Sequence, residues 1–143
     1  MTVYLLDENV LRELGSNGHE NVKAWRSTVD DSDIRISVMT LFEKRRGWER
    51  RQRTEPDLAK ARLADLDRLE EAYKSRVVPI DATVAAEWAR LLGAKDKNQR
   101  DRALAATARI HGLVLVTRNV DDVRGCNVRV LNPFRAPPKI ETV

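Results

Sequence analysis

Residues 101–122, DRALAATARIHGLVLVTRNVDD, constrain the fold most strongly, because they indicate a helix, a turn and a buried strand in direct succession. Asp101 opens the helix on a stripe of small and apolar residues at i+3, i+4 and i+7, namely Leu104, Ala105 and Ala108. A helix that leads into a parallel strand runs antiparallel to it, so the helix start and the strand end lie at the same sheet edge. We therefore expect Asp101 to face the acidic loop 119–122 across a crevice, where open α/β sheets bind ligands.

Short apolar strands alternate with helical segments along the rest of the chain. A capping box of Thr40 and Glu43 predicts the start of the helix after the second strand. Alternation of this kind is typical of a parallel sheet covered by helices. We predict the α/β class, as a three-layer α/β/α sandwich with a central, mainly parallel sheet of about five short strands. The strands are expected at residues 3–6, 34–38, 77–80, 113–116 and 127–131.

The composition is that of a single globular domain. The chain has 143 residues, of which 42% are hydrophobic, and no apolar run is long enough to cross a membrane. We expect one domain over residues 1–134 and a C-terminal tail over residues 135–143 that is mobile or lies on a partner. The first residues lack the basic region of a signal peptide. A single cysteine, Cys126, excludes an internal disulfide and fits a reducing cytoplasm, so we expect a cytoplasmic protein without membrane contact.

Residues 44–53, KRRGWERRQR, are dense in basic side chains and contain one acid. A segment of this kind attracts nucleic-acid phosphates through counterion release, and the ordinary alternative is a solvated helix face. The nucleic-acid interpretation gains weight only if carboxylates capable of phosphodiester chemistry lie close by. The candidate backbone contacts are Arg45, Arg46, Arg50 and Arg51.

Acidic residues follow three of the predicted strands or begin the helices that return to the sheet. Asp7 follows the first strand, Glu43 lies in the first turn after the second, and Asp101 and Asp122 flank the fourth. Each has an ordinary structural explanation, but together they should meet at one edge. Clustered carboxylates repel unless a cation lies between them, and hard oxygen ligands select Mg²⁺ or Mn²⁺.

No competing chemistry is visible in the sequence. It lacks the His and Cys spacing of a zinc site, a Ser-His-Asp arrangement and the glycine-rich phosphate loops. A carboxylate-bound metal lowers the pKa of its water and neutralises charge on a phosphate, and two ions can share these tasks. The acids beside the basic segment therefore predict hydrolysis of a phosphodiester.

The chain resembles a known family in four motifs that follow one another in order. The motifs are LLDENV at 5–10, SVMTLFEKRRG at 37–47, DRALAATARIHGLVLVTRN at 101–119 and VRVLNPF at 128–134. They resemble the PIN-domain ribonuclease toxins, the VapC-type partners of bacterial type II toxin–antitoxin modules, and the FitB-like branch in particular. The resemblance implies an α/β/α sandwich, RNA cleavage with Mg²⁺ or Mn²⁺, a homodimer, and a cognate antitoxin that binds it in a heterotetramer or larger assembly.

The resemblance also implies roles for individual residues. Asp7, Glu43 and Asp101 match the three principal metal-site acids, and Asp122 matches the fourth. The supporting positions are Asn9, Thr117, the hydroxyl residue near the metal, and Asn119. One departure is plain, because Glu8 stands where the family commonly has Thr or Ser. That extra carboxylate either alters metal affinity or points to solvent.

Two other functions compete with an endoribonuclease toxin. A deoxyribonuclease would use similar metal chemistry, and cleavage of matched RNA and DNA distinguishes the two. A catalytically silent PIN-like module would bind nucleic acid or a partner without cleaving anything. Retention of all four matched acids argues against the silent module, and a failure to bind Mn²⁺ would favour it.

Overall fold

The structure, a computed structural model, describes residues 1–143 and contains one six-stranded sheet with helices on both faces. The strands are β1 (Tyr4–Leu6), β2 (Ile34–Ser37), β3 (Val77–Val78), β4 (Val114–Val116), β5 (Arg129–Leu131) and β6 (Ile140–Thr142). The helices are α1 (Glu8–Leu11), α2 (Glu20–Arg26), α3 (Val38–Arg51), α4 (Pro56–Ala72), α5 (Ala82–Leu92) and α6 (Gln99–His111). None of the helices has the length and hydrophobicity needed to cross a lipid bilayer.

The strand order is β3-β2-β1-β4-β5-β6, and the first five strands of that order are parallel. The chain runs from β1 to β2 on one side and, after crossing back from β3, from β4 to β5 on the other side, so the β1–β4 boundary is the topological switch point. In open parallel sheets the crevice outside the strand ends at such a point is where ligands bind. The predicted α/β fold with its mainly parallel sheet is confirmed.

Alternation along the strands divides the core into two layers. One face of the sheet buries Leu5, Leu115 and Val130 against residues of α6 such as Leu104 and Ala108. The other face buries a second set against α1, α2, α3 and α4, and this set includes Leu6, Val10, Trp25, Ile36, Leu41, Val116 and Leu131. Because both faces are covered, the strands are almost continuously apolar, as in parallel sheets generally.

Helix α6 lies close to the sheet because its buried face consists largely of alanine. Ala103, Ala105, Ala106 and Ala108 are all at most 1% exposed, and Leu104 fills the space between them. Gly112 then ends the helix with φ of 65° and leads into β4. The predicted helix, turn and strand over residues 101–116 are therefore confirmed, and Asp101 lies in the first turn of α6.

The C-terminal residues form a sixth strand that the sequence did not predict. β6 pairs antiparallel with β5, and the backbones of Val128 and Val143 exchange hydrogen bonds of 3.0 and 3.1 Å. The β6 side chains are exposed, so this strand has none of the buried apolar character by which a sequence reveals a strand. Backbone pairing, rather than burial, brings this segment to the sheet.

The predicted capping box at Thr40 is wrong, because α3 begins two residues earlier. Ser37 is the N-cap, and its hydroxyl accepts a hydrogen bond from the Met39 N–H at 3.0 Å. Thr40 is a buried residue inside the helix. Glu43 therefore lies in the second turn of α3, and its carboxylate does not cap the helix.

Candidate active site

Asp7 lies at the carboxyl end of β1, directly at the switch point of the sheet. Its backbone N–H still pairs with the Val116 carbonyl of β4 at 2.9 Å, and its carboxylate Oδ1 caps α1 by accepting from the Glu8 N–H at 2.7 Å. The residue is 1% exposed. The Asp7 carboxylate thus lies in the crevice because it caps α1 at the point where β1 ends.

Three polar contacts hold the carboxylate of Asp7 in one orientation. The Thr117 hydroxyl donates to Asp7 Oδ2 at 2.8 Å, and the Asn9 amide donates to the same oxygen at 3.3 Å. Thr117 also accepts from the Asn119 N–H at 3.0 Å, and Asn9 accepts from the Arg118 N–H at 3.2 Å. The three predicted supporting residues thus lie in one network that joins the ends of β1 and β4.

Asp101 and Asp122 approach Asp7 from the other side of the crevice. Burial, together with the charges of Asp7 and Asp122, raises the pKa of Asp101 to about 6 against the opposing effects of Arg100 and the Asn119 side chain. Burial likewise raises the pKa of Asp7, and the Thr117 hydrogen bond opposes that shift. Asp101 therefore lies close enough to Asp7 and Asp122 to experience the charges of both, and Asp7 and Asp101 are buried.

The neighbouring Asp121 has a different environment. Its carboxylate points to solvent and pairs with Arg124 at 2.8 Å, with the Asp121 side chain 90% exposed. The short helical turn that carries both residues, Val120–Val123, directs Asp122 inward and Asp121 outward. The structure therefore favours Asp122 over Asp121 as the fourth acid.

Glu43 reaches the same crevice but is separated from the aspartates by Arg100. The Arg100 guanidinium donates to Glu43 Oε2 at 2.8 Å through Nη1, and its Nη2 lies 3.9 Å from Asp101 Oδ1. No three His, Cys, Asp or Glu side chains converge as a preformed metal-binding group. The chain's own guanidinium is the cation between Glu43 and Asp101.

The acids nevertheless fit a divalent metal by their chemistry. Asp7, Asp101 and Asp122 supply hard oxygen atoms, and their mutual repulsion is the condition that a bound dication relieves. Glu43, bound here to Arg100, would supply a fourth oxygen donor only if that hydrogen bond opened. A site of three or four carboxylates suits Mg²⁺ or Mn²⁺ rather than a softer metal.

Glu8, the departure from the family pattern, lines an adjoining cleft, although its charge still contributes to the raised pKa of Asp7. Its carboxylate pairs with Lys44 at 3.2 Å and lies 3.8 Å from Arg12. Two basic side chains therefore compensate the charge of Glu8. The extra acid contributes to the wall of the cleft and is not directed at the buried aspartates.

The four arginines predicted to hold nucleic acid lie on different sides of α3. Arg45 turns toward α4, where it pairs with Asp67 at 2.8 Å and Glu70 at 3.0 Å. Arg46 and Arg50 are exposed. Of the four, only Arg51 lines the cleft of about 510 Å³ that adjoins the acids, a cleft whose wall also includes Arg12, Lys44, Trp48, Arg62 and Arg100.

Comparison with known protein families gives a match over most of the chain. A family model described as "PIN domain" matches residues 4–124. The chain belongs to the PIN-domain family. The match extends from β1 to just beyond Asp122, so it contains all four acids of the crevice.

One relative of this PIN domain is a bacterial toxin, and two solved structures share its fold. The chain is 30% identical over 140 residues to the toxin FitB of Neisseria gonorrhoeae, and the match covers 91% of this chain and 97% of that protein. It superposes on the crystal structure of FitAcB from N. gonorrhoeae with a TM-score of 0.79 and 28% identity, over 93% and 99% of the two chains. The DNA-bound VapBC structure from Salmonella typhimurium shares the fold, with a TM-score of 0.64, 24% identity and coverage of 91% and 97%. The predicted family resemblance is confirmed.

Sequence reasoning missed Arg100, which lies between the acids of this PIN domain. The charged residues 94–100 have the composition of a solvated loop, whereas Arg100 lies in the first turn of α6. Asn98, the residue before the helix, adopts φ of 57°, and its side chain makes no cap hydrogen bond. The one clue in the sequence was that Arg100 directly precedes Asp101, so both residues must lie at the same edge of the sheet.

Proposed function

We propose that this PIN domain is the toxin of a type II toxin–antitoxin system and that it hydrolyses RNA phosphodiesters as an Mg²⁺- or Mn²⁺-dependent endoribonuclease. The observation that carries the proposal is the approach of two buried carboxylates, Asp7 and Asp101, across the β1–β4 switch point. The similarity to the toxin FitB supports the toxin role. A single buried cysteine suits a reducing cytoplasm.

The side chains of the crevice have distinct tasks in this proposal. Asp7, Glu43, Asp101 and Asp122 are the residues that would hold the metal, and Asn9 and Thr117 orient Asp7. When bound, a divalent metal makes water a better nucleophile and offsets charge on the phosphate. With its pKa raised to about 6, Asp101 ionises near neutral pH, so its oxygens become effective ligands above that pH.

Basic side chains beside the acids suit a polyanionic substrate. Lys44, Arg51, Arg62 and Arg100 line the cleft next to Glu43. Phosphate contacts of this kind position a strand without reading its sequence. Arg46 and Arg50 extend the positive surface into solvent, whereas the pairing of Arg45 with two acids of α4 leaves it the weakest candidate.

The experiment compares matched RNA and DNA oligonucleotides with purified protein freed of antitoxin, in Mg²⁺, in Mn²⁺ and in EDTA. We expect RNA cleavage that requires a divalent metal and is abolished by Asp7→Asn and by Asp101→Asn. Asp121→Asn is the matched control, because it removes an acid of the same loop that points to solvent. Cleavage of DNA alone would identify a deoxyribonuclease, and intact nucleic acids together with no Mn²⁺ binding would identify a silent binding module.

We propose a cognate antitoxin as the protein partner. FitAcB and DNA-bound VapBC, which share this fold, are toxin–antitoxin structures. An apolar groove of about 410 Å³ between α1, α3 and α4 offers a surface for such a partner, lined by Leu11, Leu14, Trp48, Leu66, Leu69 and Tyr73. Co-purification with the product of an adjacent short reading frame tests the pairing.

We propose a homodimer as the unit that the antitoxin binds, in a heterotetramer or larger complex. Val38 and Phe42 are one turn apart on α3 and are 40% and 59% exposed. Apolar side chains so placed favour contact with a second protein surface. Light scattering of the wild type and of Phe42→Asp measures whether this surface joins two copies.

A further inference from the structure

Arg51 is held flat against an aromatic ring at the far end of the cleft. Its guanidinium carbon lies 4.3 Å from the centroid of the Trp48 ring. The Nε of the same guanidinium donates to Glu55 Oε2 at 2.7 Å, and Nη2 pairs with the same oxygen. A ring below and a carboxylate at one edge fix the plane of the guanidinium, while the Arg51 side chain remains 47% exposed.

The cleft in which this guanidinium lies is suited to a polyanion. Five basic side chains line it, namely Arg12, Lys44, Arg51, Arg62 and Arg100. Its two acids are already paired, Glu8 with Lys44 at 3.2 Å and Glu43 with Arg100 at 2.8 Å. Arg51 and Arg62 also pair with Glu55 and Asp65, which lie outside the lining, so the excess of positive charge is small. The lining itself carries five bases and two acids, and the acidic crevice adjoins it through Glu43.

We propose that Arg51, supported by Trp48, is a stacking platform for an unpaired base of the RNA. The inference rests on the proposed ribonuclease function and names the residues that would hold a base of the substrate beside that site. Guanidinium planes stack on nucleobases, and RNA-binding proteins recognise unpaired bases in this way. Inside a continuous duplex both faces of a base are covered by its neighbours, so a side chain can stack only on a base that has left the helix.

The spacing along α3 connects the platform to the acids. Glu43 and Arg51 are eight residues apart on one helix, which corresponds to a rise of about 12 Å. A strand whose scissile phosphate lies at the acids can therefore place a neighbouring base on Arg51. Lys44 and Trp48 lie between these two points on the same side of α3 and line the same cleft.

The alternative role for Arg51 is an ordinary phosphate contact, and Arg51→Lys distinguishes the two roles. Lysine retains the positive charge but lacks the planar group, so a phosphate contact survives the substitution and a stacking platform does not. Trp48→Leu removes the support below the guanidinium and leaves every charge in place. Arg53→Lys is the matched control, because Arg53 is an exposed arginine of the same basic segment outside the cleft.

The measurement uses the Asp101→Asn protein, so that the RNA stays intact, and fluorescence anisotropy of a labelled single strand and of a hairpin that pairs the same sequence. We expect Arg51→Lys and Trp48→Leu each to weaken single-strand binding by about tenfold, in line with the loss of one stacked base. Binding of the paired hairpin stem and the slope of affinity against salt should stay the same. Arg53→Lys should leave both affinities unchanged.

A second readout reports the stacking itself. With 2-aminopurine placed at successive positions of the single strand, we expect fluorescence quenching at one position, lost in Arg51→Lys and retained in Arg53→Lys. Full single-strand affinity and quenching in Arg51→Lys would overturn the platform and leave the ribonuclease proposal standing. Absence of both RNA binding and RNA cleavage in the wild-type protein would overturn the ribonuclease proposal and the platform together.

Discussion

Arg100 Nη1 donates a hydrogen bond to Glu43 Oε2 at 2.8 Å, while Nη2 of the same guanidinium lies 3.9 Å from Asp101 Oδ1. The two partners are on different helices, α3 and α6, so the guanidinium joins the two sides of the crevice. A positive charge in this position relieves the repulsion among carboxylates, as a bound dication would. Arg100 and a divalent metal should therefore compete for Glu43.

Arg100→Ala should tighten Mn²⁺ binding and destabilise the metal-free protein. Removing the guanidinium frees Glu43 and takes one positive charge from the site, so we expect an increase in Mn²⁺ affinity of about tenfold, roughly 1.4 kcal/mol. The metal-free melting temperature should fall, because the carboxylates then lack their internal counter-charge. Electron paramagnetic resonance of free Mn²⁺ measures the affinity, and thermal unfolding in EDTA measures the stability.

The control for this substitution is Lys97→Ala, which removes one positive charge from the loop before α6 without breaking an ion pair. Mn²⁺ affinity in the control should change much less than in Arg100→Ala. Equal affinities in Arg100→Ala and the wild type would show that Arg100 and the metal do not share Glu43.

The metal-free protein should lose stability as the pH rises toward 6, and Asp101→Asn should remove much of that loss. The pKa of Asp101 is raised from 3.8 to about 6 by burial and by the Asp7 and Asp122 charges, so the folded state holds this proton more tightly than the unfolded state. Stability from the protonated form is complete below pH 3.8 and is lost as the pH rises through 6. Asp7, whose pKa is also raised by burial, contributes in the same direction.

The difference between wild type and Asp101→Asn isolates this group from the other titrating residues. Urea unfolding in EDTA at several pH values between 4 and 7 should show that the free energy of unfolding of the variant increases relative to that of the wild type as the pH increases. Saturating Mn²⁺ should reverse the order, because the metal favours the ionised carboxylates. Parallel pH profiles of the two metal-free proteins would contradict the raised pKa.

The sequence predicted the part of the site that follows from strand ends and failed where tertiary contacts decide. Asp7 and Asp101 were predictable because a buried strand and an alanine-rich helix fix their positions relative to the sheet edge. The predicted capping role of Glu43 was wrong. Ser37 and Thr40 can both cap a helix, and Ser37 is the cap here because β2 ends at that residue.

Other features leave little trace in the sequence. Arg100 resembles any charged loop residue, and its partner Glu43 is 57 residues away in the chain. β6 is held by backbone hydrogen bonds to β5, and its side chains are exposed. The sequence of this segment therefore lacks both the apolar run and the apolar–polar alternation that predict a strand. The basic segment on α3 was recognisable, but the direction of each arginine depends on α4, whose acids turn Arg45 away from the cleft.

Thr117→Val should destabilise the protein and weaken Mn²⁺ binding at the same time. The substitution retains the shape of the side chain but removes the 2.8 Å hydrogen bond to Asp7 Oδ2 and the acceptor for the Asn119 N–H. Loss of a hydrogen bond to a buried, charged partner costs about 1.5–3 kcal/mol. Urea unfolding gives the stability, and Mn²⁺ titration reports whether Asp7 keeps its orientation.

Thr107→Val is the matched control, because Thr107 is equally buried and its hydroxyl bonds only to the Ala103 carbonyl within α6. We expect a small change in stability there and no change in Mn²⁺ affinity. If Thr117→Val destabilises the protein but binds Mn²⁺ as the wild type does, Thr117 supports the fold and does not position Asp7.

Truncation after Phe134 should lower the melting temperature and promote association, because it removes β6 from the edge of the sheet. The full chain covers β5 with three paired residues, and the Val143 side chain packs against the core beneath α6. Without them, β5 presents unpaired backbone groups, which are a template for pairing with another chain. Calorimetry and light scattering of the truncated and full chains measure the two effects.

Ile140→Thr in the full chain is the control, since it makes an exposed β6 residue polar and preserves the pairing. Its melting temperature and assembly state should match the wild type. A truncated chain with unchanged melting temperature and assembly state would mean that β6 contributes nothing to the edge.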